Sequence, residues 1–279
     1  MNKLKSVIFR FPLAFSIFVL ALTVVITEIP LNTFFEKIFD LQTAYYLSTT
    51  IEQSTCATAI AIFIARAGIL RRAGMVRPQS LKKLWIVWPI LILAVINGWS
   101  LFDGSMTVDS SKPLILFTLI ALSTGFYEEI LCRGLILSAC LKKWGKTSKG
   151  IYRAVLLASV IFGLFHLINL VMGRGTLLEV ITQIIYATFF GVFFSACFLC
   201  LGSIWPAIIT HTLFDMMGTM DEITVGNKFT GHLLNTNYSL ENALTTILLT
   251  LPLFLYGLFI LRKVRPENLN KIYDFEAAP

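Results

Sequence analysis

Charge is scarce in this chain and histidine scarcer: Asp, Glu, Lys and Arg together make up 14% of 279 residues, and there are three histidines. So little charge, set against 56% hydrophobic residues and a mean hydropathy of +0.77, excludes an ordinary soluble globular domain. The chain also lacks any loop long enough to hold a soluble domain. It has no internal repeat and no pair of Gly/Pro-interrupted segments in matching halves, which counts against a transporter built on inverted repeats. Its five cysteines (Cys56, Cys132, Cys140, Cys197 and Cys200) fall within or at the ends of apolar runs and form no disulfide framework. Cys197-Phe-Leu-Cys200 has redox or metal spacing, but it lacks a second pair and lies inside an apolar run, so it is read as structural.

What is abundant is hydrocarbon-like sequence. Eight apolar runs approach the length needed to cross a bilayer, about 17–25 residues; they are predicted at 8–29, 43–65, 84–102, 113–137, 152–172, 178–201, 204–219 and 240–261. The expected fold is therefore all-α, a polytopic transmembrane bundle of about eight helices forming a single integral membrane domain over 1–279. The first run follows Lys3, Lys5 and Arg10 as a signal peptide would. It is longer than a signal core, however, and no Ala-x-Ala-like cleavage site precedes Pro30, so it is read as the first membrane helix.

Basic residues alternate between loops as the positive-inside rule requires. With the N-terminus in the cytoplasm, all but four of the 23 Lys and Arg fall on the cytoplasmic side, the exceptions being Lys37, Lys112, Arg174 and Lys228. Both termini are expected to be cytoplasmic. The net charge of +7 follows from this bias, so no nucleic acid partner is implied. The lipid bilayer is the expected partner.

Against this background the few ionisable groups inside apolar runs stand out, because each costs about 2.5–3.5 kcal/mol to insert. The fourth run contains Glu128, Glu129 and Arg133, the fifth His166, and the seventh His211 and Asp215. At about 100° per residue, Glu129 and Arg133 share a helix face and should pair, leaving Glu128 free to face another helix. His232, in an outer loop, is read as solvated. Asn169, three residues after His166, is placed to orient it. Glu52, Gln53, Asn97 and Gln183 are candidates for lining the same polar cavity. Carboxylates, an arginine and two histidines on three helices make up a catalytic inventory of base, polarising partner and oxyanion donors.

In order and on separate helices, Glu128-Glu129-x-x-x-Arg133, Phe162-x-x-x-His166 and His211-x-x-x-Asp215 resemble the three motifs of the CPBP family of intramembrane proteases. That family includes type II CAAX prenyl endopeptidases and bacteriocin-processing or immunity relatives. The resemblance covers roughly 113–219. It implies peptide-bond hydrolysis in the membrane, with Glu128 and His166 activating water, His211 and Asp215 on the oxyanion side, and Glu129 with Arg133 in support. An ionised Asp215 cannot donate to an oxyanion as the Asn of some members can. It either carries a proton there or orients His211.

The sequence leaves open whether no cofactor is required or a divalent metal such as zinc takes part. Glu128, His166 and His211 are the candidate ligands, whereas the His-Glu-x-x-His pattern of many zinc proteases is absent. The expected function is an intramembrane endopeptidase acting near the cytoplasmic side of a bacterial plasma membrane. The alternatives are a non-catalytic immunity or regulatory protein that binds a peptide or partner, and a proton-coupled transporter.

Overall fold

A computed structural model describes residue 8, residues 10–227, residue 229 and residues 238–273, with the backbone alone for 271–273. Lys3, Lys5, Lys228 and His232, which the sequence assigns to loops or tails, lie outside the described residues, as does the side chain of Lys271. The described chain is helical, with a single isolated β-bridge, Val108 to Thr224.

Each helix begins and ends for a local reason. The first, α1 (Pro12–Phe35), opens on Pro12 at its N-terminal turn, where a missing N–H is harmless, and is broken near Pro30. Next, α2 (Leu41–Arg66) is capped by Asp40, whose carboxylate accepts from the Thr43 backbone N–H at 3.0 Å and the Thr43 hydroxyl at 2.6 Å. Those bonds, the hydroxyl's first, hold the Asp40 carboxyl below its ordinary range. After a 3-10 segment, Leu81–Val87, comes the short α3 (Trp88–Asn97). The long α4 (Leu114–Trp144) widens into a π-helix over Ile130–Leu137. In α5 (Ser148–Val171), capped by Thr147, the regular helix is interrupted at His166. Thr176 and Glu179 form a capping box that opens α6 (Leu177–Leu201), and Gly202 closes it in the left-handed conformation with φ 66°. Then follow α7 (Trp205–Gly218), α8 (Leu240–Leu261) and the peripheral α9 (Pro266–Tyr273).

Every one of the eight predicted apolar runs falls on a helix, but among the described residues only five helices are long and apolar enough to cross a membrane: α1, α4, α5, α6 and α8. The expected count of about eight is not confirmed, five of the described helices qualifying by length and composition. The reasons are physical. α3 has 10 residues and α7 has 14, about 15 and 21 Å at 1.5 Å per residue, against a hydrocarbon core of about 30 Å. α2 is long enough at 26 residues, but it carries Gln42, Ser48, Glu52 and Gln53 among its apolar positions.

Packing arranges these helices around two neighbours. α6 lies against α5 and α8, while α4 lies against α2 and α7, and α3 braces α7. Hydrocarbon gives no hydrophobic drive for helices to associate, so close backbone approach must supply contact. Gly125 on α4 is such a point: a Cβ there would stand 2.4 Å from Thr212 Oγ1 and 3.2 Å from the Ile208 carbonyl of α7. Gly163 on α5 meets the Ile184 carbonyl of α6 in the same way, at 2.6 Å. Gly125→Val is therefore expected to force α4 and α7 apart and lower stability by about 1–3 kcal/mol. Thermal unfolding of the detergent-solubilised protein measures this, and an unchanged midpoint would argue against the close approach.

The two ends of the bundle differ in charge. At one end Lys143 Nζ donates to the Arg10 carbonyl at 2.8 Å, Ser138 Oγ to the Arg72 carbonyl at 2.9 Å, and Arg153 covers the Trp144 ring at 4.6 Å. This is the basic end. At the other, Arg174 grips Glu28 through both oxygens at 2.8 and 2.5 Å, and the Tyr46 hydroxyl donates to Glu222 at 2.5 Å. Here the Asp109 N–H also donates to the Ile223 carbonyl at 2.8 Å. This is the acidic end.

Candidate active site

Between these ends, α4 and α7 cross with their ionisable residues facing each other. Arg133 Nη1 lies 2.9 Å from Glu129 Oε1, four residues earlier on α4, and both side chains are buried. The same Oε1 takes His211 Nδ1 from α7 at 2.9 Å. A carboxylate paired with arginine only accepts, so His211 must carry a proton on Nδ1 and donate it. That leaves Nε2 as the ring nitrogen facing the remaining acids: Glu128 Oε2 at 3.7 Å and Asp215 Oδ2 at 3.5 Å. Both distances exceed a direct hydrogen bond.

Aromatic rings enclose the charged core. The Arg133 guanidinium lies over Phe162 of α5 at 4.9 Å and over Phe194 of α6 at 5.4 Å. The His211 ring stacks on Phe194 at 5.2 Å and 23°. Cation–π contact compensates a buried guanidinium more strongly than an exposed one. Arg133 Nη2 also approaches the Phe190 carbonyl at 3.4 Å. The Arg133–Glu129 pair is close but off hydrogen-bond geometry, and it leaves Glu129 Oε2 and Arg133 Nη1 buried without hydrogen-bond partners.

His166 stands at the interruption of α5, where its Nδ1 lies 3.2 Å from the Phe162 carbonyl. It is half-buried and close enough to His211 and Asp215 to interact electrostatically. The spacing Phe162-x-x-x-His166 thus has a physical content: one residue covers Arg133 with its ring and holds His166 with its carbonyl. The side chain of Asn169 donates to Gln183 of α6 at 2.9 Å. Only the Asn169 backbone N–H reaches His166, at its carbonyl.

The four polar residues assigned to a common cavity separate. Gln53 accepts from the Ser123 and Thr124 hydroxyls of α4, each at 2.8 Å, and so joins α2 to α4. Glu52 is buried within electrostatic reach of Glu28 and Arg174. Asn97 Nδ2 lies beside Gly218 at the end of α7. Gln183 alone joins a site residue directly. Three contributors escape sequence reasoning: Phe190, Phe194 and Tyr186, all on α6. Tyr186 lies within electrostatic reach of Asp215 and Glu128. Nothing in the apolar pattern of α6 distinguishes these rings from core aromatics.

Among the described residues no three His, Cys, Asp or Glu side chains are arranged to hold a metal ion. Of the candidate ligands, His211 is held through Nδ1 by Glu129 and His166 through Nδ1 by the Phe162 carbonyl, which leaves Nε2 of each ring free. As placed, these side chains make no metal-holding cluster, and no chemical step is derived through a metal.

No curated protein and no solved structure matches the chain. A family model described as type II CAAX prenyl endopeptidase, Rce1-like, matches residues 110–217, the stretch from just before α4 to the end of α7. That stretch contains Glu128, Glu129, Arg133, His166, His211 and Asp215. Its apolar helices and buried ionisable cluster accord with the match, and residues 110–217 are similar to the Rce1-like type II CAAX prenyl endopeptidases.

Proposed function

We propose that the chain is an intramembrane endopeptidase whose working groups are Glu128, His166, His211 and Asp215, held by Glu129 and Arg133. The observation that carries this reading is the Arg133–Glu129–His211 chain of contacts, which leaves His211 Nε2 between Glu128 and Asp215. Water attacks the scissile carbonyl carbon while Glu128, aided by His166, accepts its proton. The C–O bond forms and the carbonyl becomes a tetrahedral oxyanion. His211, doubly protonated, donates from Nε2 to that oxyanion, and Asp215 orients the ring. Collapse breaks the C–N bond, and the proton held by Glu128 passes to the leaving amine.

The reading includes the finer features of the fold. α2, α3 and α7 complete a single eight-helix membrane domain, with both termini in the cytoplasm of a bacterial cell. The substrate is a peptide or membrane-protein segment. Glu129, fixed by Arg133, accepts from His211 Nδ1 and so orients the ring, as an orienting carboxylate does in other acid–base sites.

His166 provides the test. In purified protein returned to lipid vesicles, His166→Ala is expected to slow cleavage of a membrane-bound peptide about 10²-fold or more without lowering the unfolding temperature. Cleavage at the wild-type rate, or a wild type that never cleaves, overturns the assignment.

A further inference from the structure

The site residues grow steadily more exposed in one direction. Side-chain exposure is 0% at Glu129 and 1% at Arg133, then 11% at His211, 15% at Glu128 and 29% at Asp215. Asp215 lies one helical turn beyond His211, about 6 Å nearer the acidic end. The helices that carry or border the site follow the same gradient. On α4 every residue from Ile130 to Leu141 is buried, on α6 every residue from Phe190 to Leu199, all toward the basic end. On α7 nothing after Thr212 is buried, and nothing in Leu167–Val171 of α5.

The basic end is also closed by backbone. The loop between α2 and α3 lies across the α6–α7 turn, with the Gln79 N–H donating to the Leu201 carbonyl and the Ile204 N–H to the Gly74 carbonyl, both at 3.0 Å. Gly74 sits so close to Phe198 that a Cβ there would overlap the ring. Beyond the site toward the acidic end come polar, half-buried groups instead: Asp215, Asn169, Gln183 and Tyr186. Partly exposed polar groups in a membrane protein face water or substrate in preference to lipid tails.

We infer that the site opens toward the acidic end and is sealed from the basic end, so that its substrate is an extended peptide segment arriving from the extracytoplasmic face. The sidedness follows from the basic loops, which the positive-inside rule assigns to the cytoplasm. This deepens the protease reading and rests on it, and it reverses the cytoplasmic-side cleavage suggested by the sequence. A cytoplasmic prenylated tail would meet the closed end of the bundle. The outer juxtamembrane stretch of a membrane protein, or an exported peptide, meets the open one.

Cysteine labelling tests access without requiring activity. Asp215→Cys and Gln183→Cys are introduced singly into the full chain, with Ser110→Cys and Lys146→Cys as reporters for the acidic and basic loops and the unaltered chain as background. A membrane-impermeant maleimide is applied to intact cells and, separately, to inverted vesicles. Both site cysteines and Ser110→Cys are expected to react in cells and lose that reaction in inverted vesicles, while Lys146→Cys does the opposite. Reaction of the site cysteines from the Lys146→Cys side, or from neither side, overturns the inferred opening. Labelling of Lys146→Cys in intact cells overturns the extracytoplasmic substrate. If the expected pattern holds and no variant or wild type cleaves any peptide, the protease reading fails and the opening stands.

Discussion

Glu128→Gln is expected to reduce peptide cleavage by about 10²–10⁴-fold, the usual contribution of a positioned general base, while leaving the fold intact. The substitution keeps side-chain volume and removes the ability to accept a proton. Glu128 makes no short bond on which the bundle depends: its nearest charged neighbour is His211 Nε2 at 3.7 Å. The adjacent residue behaves differently. Glu129 holds both Arg133 and His211 at 2.9 Å, so Glu129→Gln should lower the unfolding temperature as well as the rate. Measuring turnover and thermal stability on both variants separates the two glutamates. Equal loss of stability in both would contradict the division of roles.

Arg133→Met has the largest expected effect on stability. It leaves the Glu129 carboxylate, at 0% exposure, without its arginine, and breaking one side of a buried pair costs about 3–5 kcal/mol. Removing both charges is different, because well-packed apolar replacements of a buried pair are often neutral. The double variant Glu129→Leu/Arg133→Met should therefore recover most of the lost stability. It should remain inactive, because His211 Nδ1 then has no acceptor and its ring is no longer held between Glu128 and Asp215. Denaturant unfolding in detergent, paired with the cleavage assay, gives both numbers. A single Arg133→Met variant as stable as wild type would show that the cation–π contacts with Phe162 and Phe194 and the pair with Glu129 carry little of the packing.

How much of this was legible in the sequence depends on whether the relation lies within one helix or between two. Glu129 and Arg133 are four residues apart, and helical geometry alone puts them on one face, where they pair. His211 joins the same carboxylate from 82 residues away, and no local periodicity reveals which helix stands opposite. The same limit applies to Asn169, which shares a face with His166 but hydrogen-bonds across to Gln183 of α6. Phe194 is invisible for another reason. In a run as aromatic as Phe189 to Phe198, the ring that covers an arginine and stacks on a histidine has the same letter as its neighbours.

The helices themselves are legible because apolar runs announce them, whereas the number long and apolar enough to cross a bilayer is not. α3 and α7 are cut short by Gly98 and by the turn at 202–204, features that a hydropathy window averages away. The π-helix at Ile130–Leu137 also left no mark in the pattern, although such segments recur beside functional sites. It begins directly after Glu129 and carries Arg133 within its first turn.

Glu128, in the frame set by Arg133, Glu129 and His211, is proposed to direct water onto a peptide bond. The most direct measurement is mass spectrometry of peptides released from vesicles holding the purified protein and membrane substrates in water enriched in heavy oxygen. New carboxyl termini carrying the heavy isotope are expected with wild type and are expected to be lost with Glu128→Gln. Heavy-oxygen termini formed equally by Glu128→Gln, or absent with wild type, would contradict it.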